Sequence, residues 1–205
     1  MLARILLLQR KVALQYDRMY SKYPIPTAAS TMIMKASACD ATAQKIENPC
    51  CRLDYPRMAR FALFCACYVG AFQHILFNTV YTRLFPGDGF KVAVQKTLFD
   101  NFVHAPFIYL PTYYAYKNIF IGAGLYAAVD EYKDNSIHVL QNCWMLWVPA
   151  QFCTFYVIPP NFRILFNAAV GIVWEVIMSS MSPMRIGSTN SANSNSRSRN
   201  SNGYQ

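Results

Sequence analysis

Five ionisable residues, Lys35, Asp40, Asp100, Arg163 and Glu175, lie inside or beside otherwise apolar stretches of the chain. Such groups are costly in an apolar surrounding unless they are paired or wetted, so each is a candidate for a pore lining or an interhelical pair. Asp100 and His104 are four residues apart and would share one helix face, the geometry a proton relay needs. Lys96 lies one turn earlier, and the favoured reading is instead a helix end whose charges sit at headgroup level. Gln151 and Asn167 are positioned to supply hydrogen bonds between helices.

Other chemistry is poorly supported. There is no G-x-S-x-G, P-loop, dinucleotide glycine fingerprint or H-E-x-x-H, so no enzyme is expected. His74, His104 and His138 fall in separate segments without metal-ligand spacing, and no metal or other cofactor is expected. Seven Cys include the adjacent Cys50 and Cys51 but no C-x-x-C pair, which suggests neither a zinc site nor a disulfide framework. Cys39, Cys65, Cys67, Cys143 and Cys153 read as small apolar residues within helices.

The elements that must position these groups are membrane helices. The chain is 205 residues long, 54% hydrophobic and only 14% charged, enough length for one domain and too apolar for an ordinary soluble one. Residues 135–162 contain no Asp, Glu, Lys or Arg, more than the roughly 20 apolar residues a bilayer crossing needs. Within them, Pro149 frees a carbonyl that neighbouring helices must satisfy, and Trp144 and Trp147 read as an interfacial belt. Residues 26–43 form the weakest span, with Lys35 and Asp40 requiring protein or water beside them. Residues 61–82 are free of charge, and Ala62, Ala66 and Gly70 strip one face of bulk for close packing. Phe85-Pro86-Gly87-Asp88-Gly89 is turn chemistry. Residues 94–121 make a third span, bent by Pro106 and Pro111, with tyrosines thickening its later half; a Gly122-x-Gly124 break and the hydrophilic residues 130–135 follow. The expected fold is an all-α integral membrane bundle of four spans over 26–184, with the apolar segment after Arg163 as the alternative fifth.

Residues 1–25 are basic, acid-poor and amphipathic, which suits a mitochondrial presequence and an interfacial helix equally. Residues 185–205, rich in Ser, Asn and Arg, read as a disordered tail. Four spans would put eleven Lys and Arg on the side of both termini and six on the other, whereas a fifth crossing leaves no preference. The net charge of +9 sits in short blocks beside apolar runs without a nucleic-acid-binding motif, so the lipid bilayer and not nucleic acid is the expected partner.

The residues Trp147, Pro149, Gln151, Phe152, Phe155, Ile158, Pro159, Arg163, Asn167 and Trp174 carry a resemblance. Their order resembles the C-terminal signature of the family of the Mpv-seventeen protein of the mitochondrial inner membrane and the twenty-two-kilodalton peroxisomal membrane protein. Tyr23-Pro24, Asp40, Leu84-Phe85-Pro86-Gly87, Lys96 with Asp100, and Ala105-Pro106 agree in order, so the resemblance covers about residues 16–182. The chain departs from the family at Asn101, where Gln is usual, at Thr154, where Asn is usual, and at Ile177-Met178-Ser179 in place of Tyr-Leu-Ser. The resemblance implies an organellar membrane protein, a weakly selective channel for small solutes with Asp40, Asp100 and Arg163 near its polar path. A non-conducting scaffold is the rival, and self-association into a homo-oligomer is compatible with either. The N-terminal composition favours the mitochondrial inner membrane, with the peroxisomal membrane as the alternative.

Overall fold

A computed structural model describes residues 2–47, 50 and 52–181, with the side chains of 10–46, 50 and 52–175. Helix is the regular structure of these residues, without strands among them. Six helices follow in order: α1 Leu2–Lys22, α2 Pro24–Glu47, α3 Tyr55–Leu84, α4 over 90–120, α5 Gly124–Tyr156 and α6 Arg163–Met181. The proposed tail at 185–205 lies outside the described residues.

Local chemistry sets the ends of these helices. Asp54 caps α3, its carboxylate accepting the Arg57 backbone N–H, and Pro56 occupies the first turn where a missing donor costs nothing. Phe85 leaves helical geometry at the other end of α3, and Gly87 and Gly89 turn the chain with φ of 95° and 111°, angles that disfavour any side chain. The Gly122-x-Gly124 break separates α4 from α5 as expected. The hydrophilic residues 130–135, expected as a connection, instead continue α5, which begins at Gly124. Local polarity did not end that helix because no Pro or Gly interrupts it before Pro149.

α2 is the hub, packing against α1, α3 and α6, while α5 packs against α4 and α6. The small face of α3 lies on α2: Ala62, Ala66 and Gly70 are buried, and a Cβ at Gly70 would stand 2.7 Å from the Ala29 Cα. Backbones this close admit no side chain, the reason for the every-fourth small residue. One core joins Tyr20, Ala28, Met32, Phe64 and Ile164. A second joins Leu110, Tyr114, Val139, Cys143 and Trp174, and a third joins Leu76, Phe77 and Tyr81. Cys65 and Cys143 are buried, as small apolar residues would be, Cys39 and Cys153 are half-buried, and Cys67 is exposed.

The prolines of α4 are accommodated by a wide π turn over Asp100–Tyr109. In that register each N–H points to the carbonyl five residues back, so Pro106 and Pro111 leave the Asn101 and Pro106 carbonyls without their backbone donors. Both are met from α5: the Trp144 indole N–H donates to the Asn101 carbonyl at 2.8 Å, and the Tyr132 hydroxyl to the Pro106 carbonyl at 2.7 Å. Trp144 therefore turns its N–H inward to α4 and Trp147 packs beside the second core, while both rings stay half-buried.

At the other end of the α4–α5 pair, Lys117 and Asn118 both donate to Glu131. Burial raises the Glu131 carboxyl, but these two donors outweigh it and hold the group below its ordinary value.

Among the described residues one helix, α3, is long and apolar enough to cross a membrane by length and composition. α2 carries Lys35, Asp40 and Lys45, and α5 begins with a charged stretch, which dilutes the apolar content of each.

Candidate functional site

The five ionisable candidates fall into distinct settings. Lys35, midway along α2, meets Glu175 of α6, with Nζ 2.8 Å from Oε1; their side chains are 10% and 32% exposed. Gly171 precedes Glu175 by one turn, and a Cβ there would stand 3.2 Å from both Lys35 Cε and Nζ. The absent side chain thus forms the notch through which the lysine stem reaches its partner. The Lys35 ammonium also lies 5.9 Å from the centre of the Phe61 ring, within cation–π range.

This ion pair stands between two cavities. On one side is an open vestibule of about 510 Å³, lined by Asp40, Arg57, Arg60 and Lys117 with the rings of Tyr116 and Phe120. On the other is an inner cavity of about 80 Å³ among Met32, Tyr109, Trp147, Asn167 and Trp174. Glu175, Phe61, Phe64 and Tyr113 line both, and Lys35 lines the inner one, so these residues form the partition. A water needs about 10–15 Å³ of such space, so the inner cavity has room for several.

Asp40 borders the vestibule. Its Oδ1 lies 3.1 Å from Arg57 Nε, and its Oδ2 accepts from Gln44 Nε2 at 2.8 Å. Gln44 in turn accepts the Asp54 N–H, so this network ties the end of α2 to the start of α3.

Asp100 and Arg163 line neither cavity. Asp100 is 5% exposed and mid-way along α4, surrounded by three donors: Tyr81 hydroxyl at 2.8 Å, Gln151 Nε2 at 2.9 Å and His104 Nδ1 at 3.0 Å. An ionised carboxylate only accepts, so His104 carries its proton on Nδ1 and its Nε2 accepts from the Tyr68 hydroxyl at 3.1 Å. This places the pair in the interior and corrects the headgroup-level reading. Two neighbouring helices, α3 and α5, supply polar partners that the spacing of Lys96 did not reveal. Lys96 is buried as well.

Arg163 donates to Asn78 Oδ1 at 3.2 Å and lies over the Phe155 ring, 5.7 Å from its centre. Asn78 Nδ2 and the Tyr20 hydroxyl both approach His74 Nδ1, at 3.0 and 2.6 Å. Among the described residues Arg163 Nε, Gln151 Oε1 and Asn167 Nδ2 are buried without a partner. Thr154 has one hydroxyl proton for two acceptors, the Ala150 carbonyl and Asn167 Oδ1. Turning the Asn167 amide end for end gives its Nδ2 to Thr154 Oγ1 and frees the Thr154 proton for the Ala150 carbonyl, leaving Oδ1 in the unpartnered position.

No local pattern pointed to Tyr68, Tyr81, Asn78 or Phe61, whose roles depend on which faces of α3 turn inward. Gly171 carried a faint one, a small residue one turn before an intramembrane acid. The signature residues converge on the α5–α6 hairpin: Gln151 holds Asp100, Phe155 packs on Phe77 and Arg163, Phe152 stacks on Tyr156, and Trp174 joins the second core. Pro159 has the extended geometry that ends the α5 turn.

Comparison with known proteins agrees with this pattern. The model of the Mpv17 / PMP22 family matches residues 118–179. Peroxisomal membrane protein 2 of Bos taurus is 27% identical over 180 residues, covering 85% of this chain and 91% of that protein. PXMP2/4 family protein 2 of Dictyostelium discoideum is 23% identical, covering 84% of this chain and 92% of that protein. Mitochondrial inner membrane protein Mpv17 of Caenorhabditis briggsae is 24% identical over 122 residues, 60% of this chain and 66% of that protein. No solved structure matches the chain. The Trp147-to-Trp174 signature, the family match over the hairpin that carries it and the near full-length relatives all make this chain similar to the membrane proteins of the Mpv17 / PMP22 family.

Proposed function

We propose that the chain is a four-span organellar membrane protein providing a weakly selective pathway for small solutes. The carrying observation is the partly exposed Lys35–Glu175 pair standing between the vestibule and a second cavity. A charged pair within an apolar bundle is supported by water access or by function, since its burial alone costs more than an apolar pair of similar volume. In this reading Lys35, Glu175 and Asp40 border the path, and Asp100 and Arg163 hold the bundle around it. The spans are α2, α3, α4 and the later part of α5; at 1.5 Å per residue the 24 residues of α2 reach about 36 Å, beyond a core of about 30 Å.

The scaffold reading rests on the complete partnering of Asp100, which shows that this bundle buries charge for cohesion in at least one place. Solute and ion flux through liposomes containing the purified protein separates the two. The parent should conduct, and Lys35→Met, which leaves Glu175 alone at the partition, should shift selectivity toward cations. A folded parent without flux would establish the scaffold. Single cysteines at Ser21 and Ser198 should label from the same side of the membrane; labelling from opposite sides would overturn the four-span arrangement. The basic, acid-poor α1 favours the mitochondrial inner membrane, and a tagged chain that co-localises with peroxisomes would refute that choice.

A further inference from the structure

A second kind of opening lies on the outside of the bundle. A groove of about 680 Å³ runs between the end of α1, the first half of α2 and the outer face of α6. Met19, Met34, Leu165, Ala169 and Ile172 wall it, and all five are exposed along it. Two of the hydroxyls along it are engaged: Thr31 Oγ1 donates to the Thr27 carbonyl at 2.8 Å, and the Tyr16 hydroxyl is 3.4 Å from Thr31 Oγ1. The exposed apolar side chains that wall it suit a hydrocarbon chain, which gives up no hydrogen bonds on entering. The groove is separate from the vestibule, although Lys35 marks its inner end before turning to Glu175.

The mouth of the groove is basic. Tyr23 forms its rim, and the Lys22 ammonium lies 5.2 Å above the centre of that ring. The side chains described on α1 include Arg10, Lys11, Arg18 and Lys22 against a single acid, Asp17, whose carboxylate already accepts from Asn161 Nδ2 at 2.8 Å. An apolar slot with the Lys22 ammonium over its rim, at the end of a basic helix, is complementary to a molecule with an anionic head and a hydrocarbon tail. A second copy of the chain is a poorer occupant, because it would bring one basic α1 against another.

We propose that this groove holds one acyl chain of an anionic phospholipid, with its phosphate at Lys22. The site is independent of whether the bundle conducts. Native mass spectrometry of the full chain, released from bilayers of phosphatidylcholine containing a minority of phosphatidylglycerol, tests it directly. One retained lipid per chain is expected, enriched several-fold in phosphatidylglycerol over the bilayer. Ala169→Trp and Ile172→Trp, both exposed positions on the groove wall, should each remove that lipid while melting temperature and helical content stay at parental values. Lys22→Gln should keep one lipid and lose the preference for phosphatidylglycerol. Undiminished retention in the folded Trp variants, or no anionic preference in the parent, would overturn the assignment. So would a dimer in the parent that the Trp variants dissolve, since a second copy would then be the occupant.

Discussion

Asp100 and Glu175 are both acids within apolar helices, yet the bundle treats them differently. Asp100 has a donor on every side from three helices and borders neither cavity, whereas Glu175 has one cation, a third of its side chain exposed, and cavities before and behind it. A carboxylate enclosed by fixed donors is bound as tightly as the fold can hold it and has little freedom to respond. One held by a single flexible lysine beside water can change partners at modest cost. In the function proposed above the first centre serves cohesion and the second lies on the path, although the family resemblance read from the sequence had put Asp100, and not Glu175, near that path.

Removing each centre tests this contrast. Asp100→Ala would strand Tyr81, His104 and Gln151 in the interior, at an expected cost of about 1–3 kcal/mol for each group left unsatisfied. The melting temperature in detergent should fall sharply, and any folded fraction should conduct with parental selectivity. A well-folded Asp100→Ala variant with altered ion selectivity would instead put Asp100 on the path.

Trp144→Phe keeps the ring but takes the donor from the Asn101 carbonyl beside the same centre. The expected loss is about 1–3 kcal/mol, that of one buried unsatisfied group, again read by thermal unfolding. An unchanged melting temperature would mean that water reaches the π turn, and the dry half of the comparison would fail.

At the wetter centre, Gly171→Ala presses a methyl group against the Lys35 stem, which can swing aside. The stability change should stay below about 1 kcal/mol, as for a mild overpacking that the side chain relieves, while charge selectivity of the flux shifts. Parental selectivity with an intact fold would remove the ion pair from the path.

The smallest effect concerns Glu131, outside the proposed spans. Its carboxyl is held below the ordinary value in the folded chain, so its contribution is present above the unfolded pKa and lost as pH falls through the folded one. For a partly exposed pair this amounts to about 0–1 kcal/mol. Melting temperature should therefore decline slightly more steeply in mildly acidic buffer for the parent than for Glu131→Gln, and parallel pH profiles would show that the clamp contributes nothing.

The class of the protein and the punctuation of its helices were legible in the chain itself. Apolar runs, the 85–89 turn, the Gly122-x-Gly124 break and the small face of α3 each depend on residues close in sequence, where composition and period act locally. The family signature was legible for a related reason, since its residues cluster on one hairpin. The fate of each charge was not: Lys35 finds its partner 140 residues away and Asp100 finds Gln151 across 51. Such pairings depend on how each helix is rotated about its axis, and the inward turn of Trp144 depends on which carbonyls two prolines leave open. Those quantities are fixed only when the helices pack, so the sequence named the ionisable residues and the tertiary structure divided them between an enclosed centre and one bordered by cavities.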